Sequence, residues 1–204
     1  MFHVKHEGWQ TASALGVELD ALGRSRLERF EELIIERGVP AGMIAARDAP
    51  RIRERHILDC LRGAPLLPKA GAAVCDLGSG AGLPGIVLAI ARADLRFYLV
   101  EVRRTRAAFL EHVVGECGLK NVAVHPRRVE TFREPVECCT ARAFGPAATS
   151  WQAASRVLVS SGYLLYWAGS SFDVDRDVPS AVSSRLFRTA ALARAGPLVI
   201  MARQ

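Results

Sequence analysis

The run Asp76-Leu77-Gly78-Ser79-Gly80-Ala81-Gly82-Leu83-Pro84-Gly85 constrains this chain more than any other feature. It follows a short apolar stretch at residues 72–75 and opens an apolar segment at 84–91 whose composition suits a helix. Glycines let a backbone turn tightly and approach a ligand closely. Pro84 suits the first helical position, where its missing N–H costs nothing. A strand, a glycine turn and a helix in that order belong to an open parallel sheet, and ligands bind such sheets at the carboxyl ends of the strands.

Two cofactor classes use a loop of this kind. A dinucleotide fold wants G-x-G-x-x-G, but the third glycine position is Leu83. Asp76 also stands two residues ahead of the first glycine, where it would repel a pyrophosphate. S-adenosylmethionine carries no phosphate. Its sulfonium, ammonium and ribose diol suit an acid beside a G-x-G-x-G loop. Asp76, Gly78, Ser79, Gly80, Gly82 and Leu83 are therefore the first cofactor candidates. Glu101 ends the next apolar strand, about 20 residues on, where an acid accepts from ribose hydroxyls.

The composition excludes several classes. Half of the 204 residues are apolar, too many for a disordered chain. No apolar run reaches the roughly 18 residues of a membrane span, and the N-terminus lacks the apolar block of a secretory signal. The five cysteines, Cys60, Cys75, Cys117, Cys138 and Cys139, are odd in number and form no C-x-x-C pair. That argues against a disulfide framework and a structural zinc site, and for a reducing cytoplasm. The net charge of +6 rests on 24 arginines and only Lys5, Lys69 and Lys120. Arginine is the better bidentate phosphate ligand. This balance fits an RNA- or DNA-facing surface as well as a plain solvated one.

Helical periodicity at 17–37 puts Leu19, Leu22, Leu27, Phe30, Leu33 and Ile34 on one face. A second helix is expected at 49–62, ended by Gly63 and Pro65. Beyond it strands are expected at 72–75, 96–100, 121–125, 136–143 and 163–167. Helices are expected at 84–91, 105–117 and 147–158. Residues 185–193 and 198–202 read as a hairpin about Gly196-Pro197. The fold class is α/β and Rossmann-like: a mostly parallel sheet, an antiparallel C-terminal edge hairpin and a helical N-terminal extension. Residues 1–65 form that extension and 66–204 the sheet domain. Asp173-Val174-Asp175-Arg176-Asp177 imitates the start of a calcium loop, but Val178 and Ser184 stand where its glycine and glutamate belong. Cys138 and Cys139 read as core, and His3 and His6 are assigned nothing.

These strings together resemble the RsmG (GidB) methyltransferases. The glycine loop matches that family's. Arg55-His56-Ile57-Leu58-Asp59-Cys60 resembles its R-H-I-L-D-S segment, Arg128-Val129-Glu130 its R-x-E, and Arg142-Ala143-Phe144 the end of its S-R-A-F. The order and spacing agree over residues 20–170. The resemblance implies an S-adenosylmethionine-dependent class I fold that methylates N7 of a guanine in 16S ribosomal RNA of the small subunit. It implies cofactor contacts from Gly78, Leu83, Val129, Glu130 and Arg142. The chain departs from the family pattern at Gly42, Thr105 and Ala168, where polar or basic residues are usual.

Guanine N7 carries a free lone pair, so its methylation requires no general base. Positioning is the protein's task. Arg142 is expected at the boundary between cofactor and base, Arg47 and His56 near the substrate, and Arg128 on RNA phosphate. A monomer without metal is expected, with small-subunit RNA or the small ribosomal subunit as partner. A methyltransferase for a small molecule or a protein remains an alternative. So does a non-catalytic or altered-substrate RNA-binding paralogue that retains the fold.

Overall fold

The computed structural model describes residues 9–192 and 195–204. His3, His6 and the expected strand residue Ala193 lie outside them. Seven strands form one sheet: β1 (Ala73–Leu77), β2 (Arg96–Val100), β3 (Val122–His125), β4 (Val136–Arg142), β5 (Leu158–Trp167), β6 (Val182–Phe187) and β7 (Leu198–Arg203). Their spatial order is β3-β2-β1-β4-β5-β7-β6. The first five run parallel. β7 lies antiparallel to β5, and β6 antiparallel to β7. The chain therefore reverses direction across the sheet beside β1, so the loops after β1 and β4 sit next to each other. This is the switch point at which open α/β sheets bind ligands.

Helices α1 (Gln10–Ala14), α2 (Ala21–Leu33) and α3 (Leu58–Leu61) precede the sheet. Helices α4 (Gly85–Ala91), α5 (Arg104–Glu116), α6 (Ala147–Ala154) and the single turn α7 (Val174–Asp177) follow. Side chains alternate along β1. Val74 joins one apolar cluster, whereas Ala73, Cys75 and Leu77 join the other. The first cluster unites Phe30, Leu33 and Ile57 of the N-terminal segment with Ile86, Leu88, Phe97 and Leu110. The helical segment and the sheet thus share one core. All five cysteines are buried and unpaired, and Cys138 and Cys139 belong to the two clusters.

The expected boundaries shift at identifiable residues. The helix expected from residue 17 starts at Ala21, because the Asp20 carboxylate accepts from Gly23 N at 2.6 Å and caps it. Leu22, expected on the buried face, is 56% exposed. The helix expected at 49–62 is broken into a 3-10 stretch (Ala46–Arg51), a wide turn (Arg53–Ile57) and α3. Pro50 lies inside the 3-10 stretch and has no N–H to give an α-helical ladder. α6 ends at Ala154 and β5 begins at Leu158, five residues before the expected Tyr163. Leu158 pairs with Val136, and the register shifts between Val136 and Cys138. Gly162 permits the shift, because a Cβ there would lie 3.0 Å from the Glu137 carbonyl. The C-terminal hairpin has strands at 182–187 and 198–203, joined through a 3-10 turn at Ala190–Leu192 rather than tightly around Gly196-Pro197.

Among the described residues no helix is long and apolar enough to cross a membrane. None of their His, Cys, Asp and Glu side chains form a group of three able to hold a metal. Asp173 caps α7 instead of opening a calcium loop.

Because the N-terminal helices share the core, Phe30→Ala should destabilise the whole protein by about 3–5 kcal/mol. Denaturant unfolding followed by fluorescence and circular dichroism should show one transition at lower denaturant. An unchanged midpoint would mean that α2 contributes nothing to the fold.

Candidate active site

The loop after β1 is built from the inside. Asp76 is 1% exposed. Its Oδ1 accepts from the Thr140 hydroxyl of β4 at 2.7 Å, and its Oδ2 accepts from Gly85 N at 3.2 Å. Burial pushes its carboxyl up to about 6, against the pull of the Thr140 hydrogen bond. Asp76 was expected against the positive groups of a cofactor, and here both of its oxygens are taken by the protein. Its side chain fastens β1, β4 and the start of α4 together and faces no solvent. Ser79 is likewise buried, with its hydroxyl donating to the Asp76 carbonyl at 3.0 Å. Gly78 and Gly80 take φ of +63° and +58°, a conformation that strains other residues. Leu83 is buried against the core.

Glu101 is buried beside this loop. Its Oε2 accepts from Gly80 N at 2.9 Å, and its Oε1 accepts from Arg103 N at 2.8 Å. An ionised carboxylate has about four acceptor positions, so each oxygen keeps one. Val129 is buried in the short turn Val129–Thr131 after β3, and Glu130 is exposed beside it.

The turn after β4 joins this loop to the N-terminal segment. Arg142 Nε lies 3.2 Å from Asp59 Oδ2, and Arg142 Nη2 lies 2.8 Å from His56 Nδ1. Asp59 Oδ1 accepts from Arg62 Nε at 2.8 Å, and the Asp59 carbonyl accepts from Trp167 Nε1 at 2.9 Å. Ala143 follows at φ +55°. This conformation costs a residue with a Cβ roughly 1–2 kcal/mol, and such strain gathers at functional sites. Phe144 then packs on Gly78, so closely that a Cβ on Gly78 would lie 2.6 Å from its ring. Residues far apart in sequence, Arg55–Asp59, Gly78–Gly80 and Arg142–Phe144, thus meet at one end of the sheet.

An arginine can only donate, so His56 Nδ1 is the acceptor and the ring proton sits on Nε2. Nε2 has no hydrogen-bond partner and lies 3.6 Å from Asp48 Oδ2. Burial, and then the Arg142 charge, hold the imidazole below its ordinary pKa. His56 is therefore a neutral side chain that steadies Arg142. Arg47 does not join this network. It is exposed, and Asp48 pairs with Arg55 instead. Arg128 is exposed beyond β3. Of the family departures, Gly42 and Thr105 are exposed, whereas Ala168 is buried and lines a cavity beside Arg142. Asp59 was not singled out from sequence. The i,i+3 spacing of His56, Asp59 and Arg62 was the available signal.

A family model described as GidB, rRNA small subunit methyltransferase G, matches residues 24–177. The chain belongs to this family. Curated relatives named ribosomal RNA small subunit methyltransferase G include one from Beutenbergia cavernae, 36% identical over 184 residues, covering 86% of each chain. Another, from Nocardioides sp., is 44% identical over 149 residues, covering 72% of this chain and 59% of the relative. The chain spans about half to two thirds of several of these relatives. The solved structure of a mutant of MtNAS in complex with S-adenosylmethionine superposes with a TM-score of 0.61 at 16% identity, covering 87% of this chain and 71% of that one. Fibrillarin from Aeropyrum pernix, with natively bound S-adenosyl-L-methionine, gives 0.54 at 20% identity over 70% and 74%. At these identities the likeness shows a shared fold.

The lowered pKa of His56 fixes the sign of a pH effect. Its neutral form is favoured by folding, so its contribution to stability is present above the unfolded value of 6.5 and lost as pH falls through the lower folded value. NMR titration should find His56 titrating below 6.5 with its proton on Nε2. Arg142→Ala should raise that pKa. A His56 that titrates at or above 6.5 in the native protein contradicts the arrangement.

Proposed function

We infer that this chain is an S-adenosylmethionine-dependent methyltransferase for N7 of a guanine in small-subunit ribosomal RNA. Membership of the methyltransferase G family supports the reaction class. The observation that carries the reading is the contact of the Arg142–Phe144 turn with both the glycine loop and the His56–Asp59 segment.

The residues present fit the cofactor. The left-handed Gly78 and Gly80 expose backbone at the strand ends, and Glu101 holds free acceptor positions beside them. Gly78, Gly80, Gly82, Leu83, Val129 and Glu130 would line the nucleoside and methionine parts, Glu101 would accept from the ribose, and Arg142 would border the cofactor. Asp76 and Ser79 act behind them, as supports of the loop. Bound S-adenosylmethionine supplies a methyl group made electrophilic by its sulfonium.

The protein's remaining work is orientation, which supplies roughly 7–11 kcal/mol when reacting atoms are held in line. No proton leaves guanine N7. The site accordingly holds no free base next to Arg142: Asp76 is sealed, and His56 Nδ1 is taken by the guanidinium. Arg142 is a donor of fixed direction, held by Asp59, and orients an acceptor on the base. The exposed Arg103, Arg104 and Arg128 near the same end of the sheet would meet RNA phosphates.

The test uses labelled S-adenosylmethionine, the protein and unmethylated small ribosomal subunits. Label should appear on guanine N7, and Glu101→Ala should weaken cofactor binding at least about tenfold, the cost of one hydrogen bond to a charged group. Normal cofactor binding with no label in RNA would favour the binding-only or altered-substrate alternative. Unchanged binding by the variant would remove Glu101 from the site.

A further inference from the structure

A cavity of about 980 Å³ opens beside Arg142 toward β5, away from the glycine loop. The ends of β4 and β5, side chains of the segment between Arg51 and Arg62, and residues Leu192 and Gly196 line it. Neither Glu101 nor any glycine of the loop does. Its volume lies at the upper end of the roughly 300–1,000 Å³ common for small-molecule sites.

The lining has a definite chemistry. Four arginines, Arg51, Arg55, Arg62 and Arg142, face it with two carboxylates, Glu54 and Asp59. Asp59 holds Arg62 and Arg142 in place. Arg51 and Arg55 are different. Their side chains are 57% and 50% exposed; Arg51 pairs with the exposed Glu54, and Arg55 with Asp48, which is 15% exposed. The Arg51–Glu54 pair is of the exposed kind that is weak and readily exchanged, and Arg55 keeps half of its side chain open to a ligand. A guanidinium fork fits phosphate in two-point contact. Between these cations the walls are apolar: Leu58, Trp167, Ala168 and Leu192. Trp167 is fixed in orientation by its bond to the Asp59 carbonyl.

A pocket of this kind suits the proposed target atom. In helical RNA, guanine N7 lies in the deep, narrow major groove that side chains do not reach. An enzyme that works on such a base takes it out of the stack into a pocket. We propose that this cavity receives the acceptor nucleotide flipped out of the RNA, with its phosphate on Arg51 and Arg55 and its base between Arg142 and Trp167. The proposal rests on the reading of the chain as an RNA methyltransferase. Arg142 then borders both cofactor and acceptor and leaves the N7 edge of the base open to the methyl group, and Arg51 and Arg55 are specificity residues for a nucleotide over a nucleoside.

The experiment reads Trp167 as the sole tryptophan, after Trp9→Phe and Trp151→Phe in the full chain. GMP should quench its fluorescence saturably, and guanosine should bind about tenfold more weakly. The added Arg51→Ala and Arg55→Ala changes should erase that difference. In the otherwise native protein the same two changes should raise KM for small subunits about tenfold, with S-adenosylmethionine affinity unchanged. Absence of quenching by GMP, equal binding of GMP and guanosine, or an unaltered KM would overturn the proposal. The nucleotide titration needs no methyl transfer. A protein that binds GMP as described yet does not methylate RNA would contradict the functional reading and leave the pocket in place.

Discussion

The Arg142–Asp59 ion pair ties the N-terminal helical segment to the carboxyl end of β4. Its side chains are 20% and 15% exposed, so water screens it little. Asp59 is shared with the nearly buried Arg62, which leaves both of its oxygens engaged. Removing one partner from a fully buried pair costs about 3–5 kcal/mol, because the other charge is left desolvated, and this part-buried pair falls below that range. The consequences run outward from it. Arg142 is aimed so that its second nitrogen meets His56, and the chain turns sharply through a left-handed Ala143. That turn lays Phe144 on Gly78. One ion pair thereby sets the glycine loop, the helical segment and the cavity in fixed relation.

Two buried acidic groups divide the work by their partners. Asp76 is sealed, and its bonds to Thr140 and Gly85 close the end of β1 against β4 and α4. Gly85 must lack a side chain for this, since a Cβ there would lie 2.6 Å from the same carboxylate. Glu101, also buried, accepts from the loop itself, at Gly80 N, and from Arg103 N. The proposed alkylation of a free lone pair needs no general base, and the two carboxylates at the cavity, Glu54 and Asp59, are paired with arginines. What faces the acceptor side is mainly guanidinium, donors whose geometry is fixed before a ligand arrives.

Much of this was legible in the sequence. The alternation of short apolar runs with helical segments gives the parallel sheet, and β2 coincides with its expected range of 96–100. The glycine loop marks the ligand end of the sheet because the left-handed backbone of Gly78 and Gly80 strains a residue with a Cβ. Less legible were features decided by tertiary contact. Asp76 sits where a cofactor acid was expected, yet Thr140, 64 residues away, draws it inward. β5 extends back to Leu158 because β4 offers it a partner, which local propensity does not register. His56 and Arg142 were each visible, but their 86-residue separation hid the bond between them and the role of Asp59. Arg47 looked equivalent to its neighbours and is left outside, because Asp48 turns to Arg55.

The most direct measurement of the central claim is the single-turnover rate of methyl transfer by Arg142→Ala. Small subunits and S-adenosylmethionine would both be saturating, and the variant would be shown folded at the assay temperature by thermal unfolding. The account predicts a fall of about 10²-fold, the scale set by loss of in-line positioning. A variant that is folded and transfers methyl groups at the native rate would contradict it.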